Sequence, residues 1–199
     1  MRTHTLSRIF ILSLVAFLCG SMMTGCALLV AGTATEGTIV AMDRRTPGSQ
    51  LQDREIQWHA SSTHIPDMKR DDVHVNVNSH NQRVLLTGEV PNEAIKRSIE
   101  QQISRIVNVE RVDNELVIAI PSSLGDRAQD AALSARVKSA LLVEKKLPVN
   151  AFKITTERKI VYLQGIANTQ EVQTASQIIR AISGVSRLVL LVQPASQQR

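Results

Sequence analysis

Phe152-Lys153-Ile154-Thr155-Thr156-Glu157-Arg158-Lys159-Ile160-Val161-Tyr162-Leu163-Gln164-Gly165 is the stretch whose reading decides the fold. Phe152 and Ile154 alternate with polar residues, Glu157-Arg158-Lys159 breaks the run, and Val161 and Leu163 alternate again, so a β-hairpin is expected. Gly165 interrupts the second strand, where a bulge or a close helix approach suits a missing side chain. Upstream, residues 126–142 carry Leu133, Val137, Ala140 and Leu141 at helical spacing, and Pro148 marks the break after them. Downstream, Thr169 is the expected cap of a second helix, with Gln170 and Glu171 in its first turn and Val172, Ala175, Ile179 and Ile182 as its buried stripe. Gly184 ends that helix, and a last strand places Leu188, Leu190 and Val192 on one face. The order α-β-β-α-β puts two helices over one face of a three-stranded sheet, an α+β sandwich.

The same unit is written twice. A shift of 77 residues aligns Asp53 with Asp130, Ile56 with Leu133, Val75 with Phe152, Val84 with Val161, Leu86 with Leu163 and Gly88 with Gly165. After Gly88 the shift becomes 76, and Ile99, Ile103, Ile106, Val109 and Val112 meet Ala175, Ile179, Ile182, Val185 and Leu188. In the first copy the expected elements are a ragged helix over 52–64 with Ile56, Trp58 and Ala60, strands at 73–77 and 84–90, a helix over 92–106 and one strand over 111–120. The chain therefore divides into a first domain at 46–120, a linker at 121–125, a second domain at 126–194 and a tail at 195–199. Units of this size have marginal cores individually.

Composition narrows the function classes. Of 199 residues, 3% are aromatic, with one Trp and one Tyr, which argues against an aromatic carbohydrate groove or a base-stacking platform. Two cysteines supply neither a disulfide framework nor a zinc site of their own. A single apolar run approaches membrane length, so a polytopic membrane protein is excluded. That run, residues 9–23, follows Arg2, His4 and Arg8 and precedes Thr24-Gly25-Cys26, the layout of a secretory signal. Met23-Thr24-Gly25-Cys26 resembles the bacterial lipobox, which makes 1–25 a lipoprotein signal peptide, Cys26 the acylated residue and 26–45 a lipidated tether. The alternatives are an ordinary signal with an incidental cysteine or an uncleaved anchor. Several acyl chains would hold the protein durably, since each buried CH₂ contributes about 0.8 kcal/mol. In lipoproteins that resemble this one, Asp after the cysteine signals inner-membrane retention; Ala27 stands there instead, which favours the outer membrane.

Three groups of residues carry a family resemblance: Asp130, Leu133, Val137 and Leu141; then Val161, Leu163 and Gly165; then Ile182, Gly184 and Val185. Each repeat resembles a BON domain. Residues 43–53, Asp-Arg-Arg-Thr-Pro-Gly-Ser-Gln-Leu-Gln-Asp, resemble the segment that joins anchor to first domain in the dual-BON outer-membrane lipoproteins, the family of the division- and outer-membrane-stress-associated lipid-binding protein. The resemblance implies two tandem αββαβ sandwiches, a periplasm-facing lipoprotein, binding of anionic phospholipid through the second domain, a role in envelope integrity, and no catalysis or cofactor.

Charge supports the second domain independently. Residues 46–120 hold 8 basic and 11 acidic side chains, whereas 124–199 hold 11 and 5. An anionic leaflet attracts each nearby Lys or Arg by about 1 kcal/mol, so the second half gains where the first is repelled. Basic residues fall on its first helix and the turn after it (Arg127, Arg136, Lys138, Lys145, Lys146) and on its hairpin (Lys153, Arg158, Lys159). The alternative is an ordinary solvated surface. By the resemblance, the contact is the start of that helix, Gly125 through Arg136: Ala128, Ala131, Ala132 and Ala135 approach the headgroups, and Arg127 and Arg136 meet phosphates. Some family members carry an aromatic where this chain has Ala132, so penetration should be shallower here. The alternative for the alanines is helix propensity and close helix packing.

Other candidates carry less. His59, His64, His74 and His80 lack a metal-ligand pattern, and His74, opposite Val73, Val75 and Val77, is read as solvent-facing; no metal site is expected. Asp71-Asp72 reads as a turn rather than an acid–base pair, and no serine has a plausible His and carboxylate set. Trp58 is read as core or interdomain packing, with surface recognition as its alternative. A monomer is expected, with the anionic membrane as partner, an envelope or division-site protein as the competing one, and no nucleic acid.

Overall fold

The computed structural model describes residues 43–61, 64–145 and 147–195. The signal segment, Cys26, most of the tether, Lys146 and the last four residues lie outside the described part. No helix among the described residues is long and apolar enough to cross a membrane.

Helix α1 spans Pro47–His59. It starts earlier than the 52–64 expectation because Thr46 caps it, its hydroxyl accepting from Ser49 N–H at 3.1 Å, and Pro47 pre-sets the first helical φ. Its buried stripe is Ser49, Asp53 and Ile56. Trp58, two residues past Ile56, falls on the opposite side and is 60% exposed, which overturns its reading as core. It lies instead against His64, with ring centroids 4.3 Å apart.

Strands β1 (His74–His80) and β2 (Arg83–Val90) form an antiparallel hairpin, and α2 (Glu93–Ser104) follows, capped by Asn92. The expected single strand over 111–120 is two pieces, β3 (Arg111–Asn114) and β4 (Val117–Ile118), both parallel to β2. Between them Leu116 turns into the core while its carbonyl accepts from Lys96 Nζ at 2.6 Å. The second repeat is more regular: α3 (Leu124–Val143), β5 (Phe152–Glu157), β6 (Ile160–Ala167), α4 (Thr169–Arg180) and β7 (Arg187–Pro194), with β7 parallel to β6 along their whole length. Ser123 and Asp126 form a reciprocal capping box that starts α3 inside the expected linker, and Asn168, not Thr169, caps α4 with Glu171.

Each repeat has its own core. Ile56, Val84, Leu86, Val90, Ile99 and Ile103 meet in the first; Leu133, Val137, Leu141, Val161, Leu163, Ala175 and Ile179 meet in the second. The α+β sandwich therefore occurs twice.

The aligned aspartates explain why both hairpins close. The turns are two residues long, Asn81-Gln82 and Arg158-Lys159, and all four residues have φ between +50° and +63°. Such turns favour Asn-Gly, and a β-carbon in the left-handed region costs roughly 1–2 kcal/mol. Asp53 on α1 accepts from the N–H groups of Asn81 (2.7 Å) and Gln82 (2.9 Å), and Asp130 on α3 accepts from those of Arg158 (2.7 Å) and Lys159 (2.9 Å). A buried carboxylate on the first helix thus offsets the strain of each turn. Asp130→Ala, which leaves two donors unpaired, is expected to cost about 2 kcal/mol, read as a lower urea midpoint.

The sheet faces turned away from the helices are also covered, and they cover one another. Leu85, Thr87 and Glu89 of β2 and Tyr162, Gln164 and Ile166 of β6 are all buried. Across this seam Asn81 Nδ2 donates to Gln193 Oε1 at 2.7 Å, Asn76 Nδ2 to Glu157 Oε2 at 2.8 Å, and Gln164 Nε2 to the Arg83 carbonyl at 3.3 Å. The segment before α1 is fixed as well: Arg44 makes a bidentate pair with Glu171 on α4 at 2.7 Å, and Arg45 bridges Asp43 and Asp53.

Candidate functional site

Helix α3 turns Asp130, Leu133, Val137 and Leu141 inward. Its outer face is the stripe named from sequence: Gly125, Ala128, Ala131, Ala132 and Ala135 are exposed, so these alanines do not serve close helix packing. Arg136 is exposed, and Arg127 is half-buried with its Nε 3.3 Å from Ser122 Oγ. The structure adds two residues that the sequence reading did not single out. Leu124 is 82% exposed and Leu142 is 59% exposed, one at each end of the alanine stripe. They are 18 residues apart, which at 3.6 residues per turn is about five turns, so they share the alanines' face. Arg127 and Lys138 border one edge of that face and Arg136 the other, while Asp126 is engaged in the cap and Asp130 points inward. Ile120, just before the helix, is exposed too. An apolar stripe edged by cations is the layout of a helix lying in a membrane interface.

Two of the hairpin cations do not join this face. Lys153 Nζ turns to the carbonyl of Ser79 in the first domain at 3.3 Å, and burial pushes its ammonium below the usual lysine range. Arg158 Nη1 reaches Glu89 Oε1 at 3.3 Å. Lys153 turns inward because β5 lies along the seam, and Arg158, at the tip of the hairpin, stays exposed while one of its nitrogens reaches across to Glu89. Lys138, Lys145 and Lys159 stay exposed.

The seam also corrects the reading of His74. Its ring lies on the inter-sheet face, with Nδ1 2.9 Å from Glu89 Oε2 and 3.9 Å from Glu157 Oε1. The three side chains are 15%, 0% and 7% exposed. Burial works against the Glu89 carboxylate, but hydrogen bonds from His74, the Ser122 N–H and Arg158 outweigh it and hold its pKa below the usual value. Glu157 goes the other way: burial raises it, Asn76 only partly compensates, and Glu89 and Asp130 push in the same direction as burial. No sequence spacing could have joined these residues, because Glu157 comes from the other repeat.

Comparison with known proteins agrees with the duplicated fold. The BON domain family model matches residues 62–120 and again 129–193. The chain is 29% identical over 168 residues to the outer membrane lipoprotein DolP of Haemophilus influenzae, covering 84% of this chain and 87% of that one. It is 22% identical over 152 residues to the 21 kDa hemolysin of Actinobacillus pleuropneumoniae, covering 76% and 78%. A solved chain of CdsD, a structural protein of the type III secretion system of Chlamydia trachomatis, aligns over 74% of this chain and 94% of its own, at 13% identity and a TM-score of 0.31, too low to inform the fold. Two matched repeats, spanning most of the described residues and each folded as an αββαβ sandwich, place this chain in the BON-domain family.

Proposed function

We propose that this protein is a lipid-anchored, periplasm-facing lipoprotein of the outer membrane whose second domain docks on anionic phospholipid through the outer face of α3, and that it supports envelope integrity by binding rather than by catalysis. The observation that carries the reading is the exposed stripe from Leu124 to Leu142, edged by Arg127, Lys138 and Arg136 on a domain of net positive charge. Similarity to an outer membrane lipoprotein and the lipobox-like Met23-Thr24-Gly25-Cys26 support the address. Ala132 inserts little apolar area, and Leu124, Leu142 and Ile120 supply what it lacks. Acylation at Cys26 then keeps a weak, salt-sensitive contact near its surface.

The non-acylated chain from Ala27 onward is expected to float with phosphatidylglycerol-containing vesicles and to be released as salt rises. Removing two cations, Arg127→Ala with Arg136→Ala, is expected to cost about 2 kcal/mol, roughly thirtyfold in vesicle affinity. Equal flotation with neutral vesicles would sink the electrostatic part of the proposal.

One observation favours a second reading, docking of an envelope or division-site protein. The first domain exposes Leu51, Trp58 and Val107, on a half with three more acidic than basic residues. Crosslinks to a protein that survive the Arg127 and Arg136 substitutions would favour it.

A further inference from the structure

The seam brings two buried carboxylates and one imidazole together. Glu89 and Glu157 face each other across the two repeats, and one ligand atom from each lies with a His74 nitrogen in a group no wider than 4.8 Å. Among the described residues, Arg158 offsets one charge, and it reaches Glu89 only. The donor on Glu157 is the neutral amide of Asn76. Buried carboxylates in such a setting are stabilised by a cation.

The geometry specifies which kind. A tetrahedral zinc ion, with bonds of about 2.0–2.2 Å, sets its ligand atoms roughly 3.4 Å apart. His74 Nδ1 stands 2.9 Å from Glu89 Oε2 and 3.9 Å from Glu157 Oε1, a spread that brackets this value, and all three ligand atoms lie within 4.8 Å of one another, so drawing the carboxylates in by up to about an ångström would close the site. The outer oxygens are already engaged: Arg158 holds Glu89 Oε1 and Asn76 holds Glu157 Oε2, while Glu89 Oε2, which also accepts from Ser122 Oγ at 3.4 Å, and Glu157 Oε1 are turned toward the imidazole. Neighbours that hold the far oxygen of a ligating carboxylate are what metal sites use to aim it. One imidazole nitrogen with two carboxylate oxygens is a donor set for zinc, and a fourth position remains for water.

We propose that His74, Glu89 and Glu157 form a zinc(II) site that clips the two BON repeats together. On binding, the imidazole hydrogen resides on Nε2, so that the ring stays neutral and the Nδ1 lone pair goes to the metal. Because two ligands come from the first repeat and one from the second, the ion stabilises their mutual arrangement, independently of how α3 meets lipid.

Isothermal titration of the purified full chain in detergent with zinc chloride tests this, beside Glu157→Gln and His74→Asn. The expected result is one zinc per chain with micromolar or tighter affinity, weakened roughly tenfold or more in each variant. Zinc should also raise the urea midpoint of the wild type, and at the same concentration raise that of Glu157→Gln clearly less. Two variants on different strands guard against a folding failure in either, checked by circular dichroism. Absence of stoichiometric zinc binding by the wild type, or binding and stabilisation unchanged in both variants, would overturn the proposal.

Discussion

Gly88→Ala is expected to lower stability by about 4 kcal/mol, enough to leave the first domain largely unfolded. Two effects add. Gly88 has φ +121°, a conformation that a residue with a β-carbon holds only at a cost of order 1–3 kcal/mol. The added carbon would also lie 2.0 Å from the carbonyl oxygen and 2.9 Å from the carbonyl carbon of His74 on the neighbouring strand. Those atoms are backbone, in the middle of a ladder that pairs Val75 with Gly88 and His74 with Glu89, so relief means opening the hairpin. Gly165, its counterpart, is crowded similarly, with the carbonyl oxygen of Ala151 2.5 Å from a built β-carbon. The neighbour that forbids a side chain there is thus the adjoining β5 end of the chain, rather than the helix considered from sequence. Loss of the first-domain amide signals, with a urea transition displaced to low denaturant, is the expected readout; a wild-type midpoint would show that the strands can part cheaply.

The second large effect is a pH dependence centred on His80. Its ring is buried at the end of β1, and Nε2 has no hydrogen-bond partner among the described residues. Burial, reinforced by Arg45, lowers its pKa to about 4 from 6.5; the carboxylates of Asp53 and Asp43 pull the other way without prevailing, and Lys153 adds to the lowering. Between those values the unfolded chain binds the proton and the folded one refuses it. Stability therefore rises with pH through this window, is complete above about pH 6.5, and falls as pH drops toward 4, by about 3 kcal/mol in all. Glu157, with its raised pKa, contributes with the opposite sign, and Asp53 and Glu89, with lowered ones, lose their contributions at more acidic pH. Urea midpoints measured from pH 4 to 7 for wild type and His80→Gln isolate the histidine. The variant is expected to show a slope flatter by that amount, and parallel curves would refute the assignment.

What the sequence reveals of this fold follows from what one repeat does by itself. Leu133, Val137 and Leu141 recur at helical spacing because they bury one stripe, and Val161 and Leu163 alternate because β6 turns them to the same core. Those periods, written twice, disclose the sandwich. The pairing of Asp53 with Asp130 is visible in the alignment, yet its meaning depends on the backbone donors of a turn about thirty residues away, which no local pattern displays. His74 looks solvent-facing for a related reason: the outer side of a sheet reads as polar whether water or another polar sheet lies on it. Lys153 contributes fully to a sum of charges but little to the surface, since the seam holds it, and the exposed Arg158 has one guanidinium nitrogen drawn to Glu89. The broken third strand of the first repeat follows from Leu116 leaving the ladder for the core, against which the alternation of Val117 and Ile118 gives no warning. By contrast, the α3 face was legible. Alanines spaced along one side of a helix, with cations beside them, state their exposure as soon as the buried stripe is known. Leu124 belongs to that face only because the Ser123–Asp126 capping box starts α3 two residues before the apolar stripe's expected beginning at 126.

The account turns on where anionic lipid touches this chain. Amide chemical-shift mapping of the non-acylated protein, titrated with phosphatidylglycerol micelles and separately with zwitterionic ones, tests that directly. Saturating shifts concentrated at Leu124, Gly125, Ala128, Ala131, Ala132 and Ala135, present with the anionic micelles and weak with the neutral ones, are the predicted result. Shifts centred on Trp58 and Val107 of the first domain, or an α3 that responds equally to both micelles, would contradict it.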